Sequence, residues 1–277
     1  MMAARPISLP AGPVLVLAPH YDDEILGCGA CLAGLKDKSA VRVAVACDGR
    51  GTPGLHPDST VPGAPDIGAV RAAESRAALA VLGIPASAVE DLRFPDGSLT
   101  AQRAELRLAL ERLVEETRPA AVFAPFRFDR HPDHIALSRA ALDLPAVREG
   151  RTALFEYFVY TRFRLFPKGD IRNVVRRDCL LGGEPGEAAF LKRRALDCFV
   201  TQTTRYFSWQ MRPVLTERLV RDGSAGPELF LVAPPGAPDR TVLAWPVWAV
   251  RSIVSLEFTL KRAAFALRQG MPRERKP

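Results

Sequence analysis

Short, largely apolar runs that stop abruptly at polar clusters constrain this chain more than any other feature. Val14–Ala18 ends at Pro19-His20, Val41–Ala46 at Cys47-Asp48-Gly49, and Ala121–Ala124 at Pro125. Side chains alternate across a strand, so a strand that is apolar at successive positions must be covered on both faces. Helix-length segments separate these runs. One follows PHYDDE, carries small residues at Gly27, Gly29, Ala30, Ala33 and Gly34 that suit close packing on a sheet, and runs to Lys36-Asp37-Lys38. A second spans 69–82 and stops at Gly83; a third starts from a Thr100 cap, reaches Arg118 and breaks at Pro119. The alternation predicts an α/β fold, a Rossmann-like three-layer sandwich with a mostly parallel central sheet. Such sheets bind ligands at the carboxyl ends of their strands, and the polar clusters fall at those ends.

Further strands are expected over 92–94, 154–160 and 228–232, with a helix over 191–202. Residues 50–69 hold four Gly and four Pro, which predicts a long surface loop, and His56 sits inside it without an assigned duty. The domain reading is a loose lead-in over 1–11, one catalytic domain over 12–238 and a basic tail over 239–277. With apolar residues at 48% and charged residues at 25%, a core of ordinary globular size is expected. The start lacks the apolar run of a secretory signal, and five cysteines without regular spacing speak for a reducing, cytoplasmic setting.

The formal charge of +7 is concentrated in the tail, where eight Lys or Arg face three Asp or Glu. That leaves only +2 on the rest of the chain, too little for a basic face of the nucleic-acid-binding kind, so no nucleic-acid partner is expected. Within 245–268 the residues Ala249, Ile253, Leu256, Leu260 and Leu267 form one helical stripe, with Arg251, Ser255, Thr259 and Arg262 on another. This basic amphipathic helix could pack on the catalytic domain, self-associate, or touch a membrane surface peripherally; charges interrupt it too often for a span.

Three of the four histidines, His20, His131 and His134, follow strands at the same end of the sheet, in company with Asp22, Asp23 and Asp133. A catalytic zinc takes three protein ligands and keeps a fourth position for water. His20, a carboxylate from Asp22 or Asp23, and His134 would suffice, leaving a carboxylate as base and a histidine to steady an oxyanion and help an amine leave. Glu24, at the start of its helix, is expected to serve the helix dipole. Gly27-Cys28-Gly29 lies inside the helix and is no dinucleotide loop; Cys28 and Cys31 are a turn or more inside it too, so packing is their expected role.

Pro19-His20-Tyr21-Asp22-Asp23-Glu24 and His131-Pro132-Asp133-His134 resemble the PHxDDE and HPDH motifs of the LmbE-like, or PIG-L, N-acetylglucosaminyl deacetylases. The resemblance extends over about residues 12–232, with weaker support from Asp48-Gly49, Arg71, Glu74, Asp96-Gly97 and Thr201-Gln202 after Lys192. It implies one zinc per chain held by His20, Asp23 and His134, Asp22 as general base, and His131, held by Asp133, as electrostatic or general-acid partner. It also implies that Arg71 and Asp96 contact the sugar or its head group. Tyr21 stands where the family has proline and is expected to narrow the mouth or bond substrate; Ala30 replaces a common glycine. The implied activity is removal of an N-acyl group, most simply acetyl, from an amino sugar or its conjugate, whether lipid-linked or a glycosylated metabolite. The rivals are a metal-dependent phosphoesterase and a catalytically silent sugar-binding protein of the same fold.

Overall fold

The computed structural model describes residues 5–52, 65–159, 174–183, 186–225, 227–232, 234–237 and 239–270. His56, most of the loop expected over 50–69, and the last residue of the strand expected over 154–160 lie outside them. Eight strands form one sheet: β1 (Arg5–Pro6), β2 (Val14–Ala18), β3 (Val41–Cys47), β4 (Val89–Phe94), β5 (Ala121–Pro125), β6 (Ala153–Tyr157), β7 (Leu180–Gly183) and β8 (Glu228–Leu231). Their order is β1-β7-β8-β6-β5-β2-β3-β4, and only β8 runs antiparallel to its neighbours. The mostly parallel α/β sheet is therefore as the alternation predicts.

Every residue of β2 and β5 is buried. Val14, Val16 and Ala18 pack on one side with Ile25, Leu79 and Leu196, whereas Leu15 and Leu17 pack on the other with Leu106, Leu110 and Leu137. Four helices do most of this covering: α1 (Asp23–Gly34), α2 (Ile67–Val81), α3 (Arg103–Thr117) and α4 (Pro132–Asp143).

Several boundaries differ from expectation. β4 begins three residues earlier than its apolar core, because it is an edge strand whose Glu90 and Asp91 need no burial. Thr100 does not cap α3; Gln102 holds that position without a side-chain bond. α1 stops at Gly34, and the Lys38 ammonium covers its end by donating to the carbonyls of Leu32 and Ala33. The single helix expected over 191–202 is two, Gly186–Leu196 and Val200–Thr203. Phe199 turns wholly into the core between them, and Glu74 accepts both the Thr201 N–H (2.8 Å) and its hydroxyl (2.5 Å). The lead-in is tied down where Arg5–Pro6 pairs with Leu181–Gly182.

α1 breaks at Cys28 (φ −142°, ψ 17°), and a buried ion pair fills the break. Glu228 accepts the N–H groups of Ala30 and Cys31, both at 2.7 Å, while Lys192 donates to the Leu26 carbonyl and meets Glu228, again at 2.7 Å in each case. Gly27 is required there: a Cβ on it would lie 2.1 Å from the Tyr157 ring, whose hydroxyl donates to the Leu17 carbonyl. The glycines thus serve helix-to-sheet approach, in keeping with their exclusion as a cofactor loop. Removing one member of a buried pair strands the other's charge, so Lys192→Met should destabilise the fold by about 3 kcal/mol, measurable as a lower midpoint in denaturant.

The helix Val247–Gly270 docks through Val250 and Val254 on a cluster that includes Phe126, Phe128 and Leu231. Trp248 (72% exposed), Leu256 and Leu260 face away from that contact. Of the stripe expected from Ala249 to Leu267, Ile253 packs on this cluster beside Val250 and Val254, whereas Leu256 and Leu260 are exposed; Leu267 lies beyond the side chains described. No helix among the described residues is long and apolar enough to cross a membrane.

Candidate metal centre

From β2 the chain winds outward through β3 and β4 on one side, then returns to place β5 and β6 on the other. The ends of β2 and β5 thus flank the point where the winding reverses, the usual ligand crevice of such sheets. His20, Asp22 and Asp23 follow β2; Asp129, His131, Asp133 and His134 follow β5.

Asp23 is the meeting point. Its Oδ2 lies 3.3 Å from His20 Nδ1 and 3.1 Å from His134 Nε2. The opposite nitrogen of each ring is engaged elsewhere: His20 Nε2 is 3.2 Å from Asp133 Oδ2, and His134 Nδ1 is 3.4 Å from Asp129 Oδ2. Ligands about 2.0 Å from a tetrahedral cation stand roughly 3.3 Å apart, so each of these two separations from Asp23 Oδ2 matches a coordination edge. Carboxylates behind ligating imidazoles are the usual outer support of such a site. His131 is close as well, its ring centroid 4.8 Å from that of His20, and nitrogens of His20, His131 and His134 fall within 4.8 Å of one another. A second grouping, His20 with Cys47 and Asp96, shares His20.

The electrostatics favour a cation. Asp22, Asp23, Asp129 and Asp133 are all buried, and Arg71 is the permanent positive charge against Asp22. Burial disfavours an ionised Asp23, yet the charges of His134 and His20 and their hydrogen bonds hold its pKa far below the usual carboxylate range. Burial likewise opposes protonation of His134, but Asp23 and Asp129 lift it to about 9; for His20, bonds to Asp133 and Asp23 outweigh burial and raise it. His131 goes the other way, to about 3, through burial and the neighbouring charges of His134 and His20. Asp22 is raised, first by burial and then by the charge of Asp23.

Local backbone chemistry separates the two adjacent aspartates. Asp22 is the N-cap of α1 at φ 122°, a region that side-chain-bearing residues rarely occupy and that costs about 1–3 kcal/mol. Glu24 holds it there. Its carboxylate accepts the Asp22 N–H at 3.0 Å and the Ser75 hydroxyl at 2.6 Å, tying α1 to α2, and burial pushes its pKa to about 7. Glu24 is therefore a wholly buried strut, and the dipole role expected for it is corrected: its oxygens are spent on these two donors.

Other expectations also change. Tyr21 is 3% exposed, packs against Gly49 and has its pKa raised by burial and by Asp91, so it does not reach the mouth. Arg71, 2% exposed, donates to the carbonyls of Tyr21 (2.7 Å) and Gly49 (3.2 Å) and stands 3.5 Å from Asp22 Oδ2. It braces the two loops and Asp22 and is too enclosed for a sugar contact. Asp96 accepts the N–H groups of Gly49 (3.2 Å) and Gly51 (2.6 Å) and is half-buried at the rim. Asp133 holds His131 through its backbone N–H, donated to His131 Nδ1 at 3.3 Å, while its carboxylate serves His20 and accepts from Gly97 and Leu99. Its carboxylate is 3.8 Å from His131 Nδ1.

Asp129 was missed from the sequence. Its only signal there is a carboxylate a few residues past a strand end, two before His131. Asp129→Asn should leave the fold intact and weaken divalent-metal binding by roughly 10–100-fold, as losing an outer partner of a ligand does; metal titration measures it.

Cys28 and Cys47 are buried thiols with raised pKa, both through burial first, and all five cysteines are free. A cavity of about 540 Å³ lies at the opposite ends of β2 and β3, against Pro13 and Ala40 and away from these residues.

Residues 15–144 match the family model described as PIG-L, GlcNAc-PI de-N-acetylase. An uncharacterized deacetylase of Escherichia coli (strain K12), YaiS, is 33% identical over 136 residues, which take in 47% of this chain and 65%, just under two thirds, of that protein. Among solved structures, the A40926 pseudoaglycone deacetylase Dbv21 superposes with a TM-score of 0.57 at 22% identity, covering 83% of this chain and 100% of the other. The N,N'-diacetylchitobiose deacetylase of Pyrococcus horikoshii gives 0.55 at 19% identity, covering 80% and 84%. At these identities the structural likeness establishes the fold.

Proposed function

Residues 15–144 belong to the PIG-L, or LmbE-like, family, and from that premise we propose that the chain is a metal-dependent N-deacetylase acting on an amino sugar or its conjugate. The observation that carries this reading is the position of Asp23 Oδ2 between His20 Nδ1 and His134 Nε2, donors from two motifs more than a hundred residues apart. Those three residues would hold one divalent cation, zinc in this proposal. The cation would polarise the amide carbonyl and bring the pKa of water to about 7.

The chain's own groups supply the proton transfers. Asp22, with its raised pKa and its place beside Arg71, takes a proton from the water that attacks the amide carbon. His131 accepts the Asp133 N–H at Nδ1, so its neutral ring carries the proton on Nε2 and can donate to the developing oxyanion. As the C–N bond breaks, the proton that Asp22 took from the water passes to the amine nitrogen, which leaves, and acetate is the second product. Arg71 and Glu24 keep Asp22 in place, and Asp129 and Asp133 keep the imidazoles turned inward. The amino-sugar substrate is supported by the family's description and by the chitobiose and pseudoaglycone deacetylases that share the fold. Because fold alone does not set chemistry, the residues carry the reaction type and the family carries the substrate class.

The test is release of acetate and free amine from a panel of N-acetylated amino sugars, glycosylated metabolites and sugar-linked lipids, with and without chelator. Turnover should appear on at least one, vanish with chelator and return with a divalent metal. Chelator-insensitive turnover, or phosphate release in its place, would contradict the proposal.

A further inference from the structure

A single turn presents the carboxylate behind His134, and the far end of the chain grips that turn. Asp129 donates its N–H to the Phe126 carbonyl at 2.9 Å, closing four residues with Arg127 and Phe128 at the centre. From the end of this turn Asp129 Oδ2 faces His134 Nδ1 at 3.4 Å, behind the ring whose Nε2 meets Asp23. An outer partner orients a ligand only while it is itself held within about 0.5 Å of the working geometry. We infer that Asp239 is a positioning residue for the metal centre, acting through both central residues of this turn; the inference rests on the metal-centre reading of the proposed function.

Asp239 reaches the turn by two routes. Directly, its Oδ1 accepts from Arg127 at 3.3 Å. Indirectly, Arg139 of α4 donates to both of its oxygens at 3.1 Å and lays its guanidinium 5.4 Å from the centre of the Phe128 ring. Glu156, on β6, completes the hold on Arg127 by accepting its backbone N–H and its Nε, both at 2.9 Å. Phe126 and Phe128 are buried in one cluster with Val242 and Leu243, just past Asp239 in the chain. Burial opposes ionisation of Asp239, yet Arg139 and Arg127 hold its pKa below the usual carboxylate range, so it meets them charged. Because α4 carries His134 in its first turn, this one carboxylate ties the segment that supplies Asp129 to the helix that supplies the ring it supports. Asp239 lies outside residues 15–144, so the family match does not assign it. Arg251, 61% exposed, meets Asp239 at 3.0 Å from the C-terminal helix and separates a hold on that helix from a hold on the turn.

The experiment is titration of the metal-free protein with Co2+, read in its visible bands and by competition with a chromophoric chelator. Asparagine keeps the shape of Asp239 but offers three guanidinium groups a neutral amide with one acceptor oxygen. Asp239→Asn should weaken Co2+ binding by roughly tenfold, the low end of the cost of losing an outer partner, and should alter the visible bands. Arg139→Gln, on a side chain 37% exposed, should do the same and decides the matter where Asp239→Asn fails to fold. Added to Asp129→Asn, Asp239→Asn should cost much less than it does alone, because its effect runs through that carboxylate. Arg251→Gln should leave Co2+ binding unchanged. Affinity and bands indifferent to Asp239→Asn and Arg139→Gln, losses that add in full to that of Asp129→Asn, or an equal loss in Arg251→Gln would overturn the role and leave Asp239 as a staple for the C-terminal helix. Absence of Co2+ binding in the unsubstituted protein would overturn the metal-centre reading itself, so the two failures are seen separately.

Discussion

Asp22→Asn should lower kcat by roughly 10²–10⁴-fold while metal content stays that of the unsubstituted protein. Asparagine matches aspartate in shape and can still sit beside Arg71, but its amide cannot take the proton. Two geometric facts separate Asp22 from its neighbour. Asp23 Oδ2 is in reach of two imidazoles, whereas the Asp22 carboxylate meets Arg71 at 3.5 Å. Asp22 also caps α1 at a strained φ that Glu24 and Ser75 maintain. Activity measured beside metal content decides the matter. Full activity in Asp22→Asn would remove it as the base, and loss of metal there would exchange the proposed roles of the two aspartates.

His134→Ala should abolish both metal binding and hydrolysis. It removes one of three proposed inward donors and also strands the buried carboxylates of Asp23 and Asp129, which the ring holds at 3.1 and 3.4 Å. The loss of metal affinity should exceed the roughly 10–100-fold expected for Asp129→Asn, because a ligand and not its support is removed. Metal analysis after dialysis, with the fold checked by circular dichroism, measures it. Retained metal with lost activity would instead favour a centre built from His20 with other partners.

The sequence disclosed whatever depends on residue type and local order. The buried strands β2, β3 and β5 were legible because a two-faced strand must be apolar throughout, and the ends of β2 and β5 locate the histidines in the sequence itself. Direction in space was another matter. Tyr21 reads as a novelty at the mouth, yet its ring enters the core against Gly49. Arg71 reads as a hand for sugar, yet its donors are taken by loop carbonyls. Glu24 looked like helix electrostatics because nothing in the order of residues shows that Ser75, on another helix, donates to it. β8 was legible over 228–232 from its apolar run, whereas β7 was not, because a four-residue strand ending in two glycines carries too little pattern to separate from loop. Asp129 needed the fold as well, since a lone carboxylate is a common surface residue until a buried imidazole faces it.

The central claim is that His20, Asp23 and His134 hold one divalent cation where β2 and β5 end. Anomalous-difference crystallography of the metal-loaded protein tests it most directly. One peak within about 2.0–2.2 Å of His20 Nδ1, Asp23 Oδ2 and His134 Nε2 is the predicted result. A peak held by His20, Cys47 and Asp96, or none at the histidines at saturating metal, would contradict it.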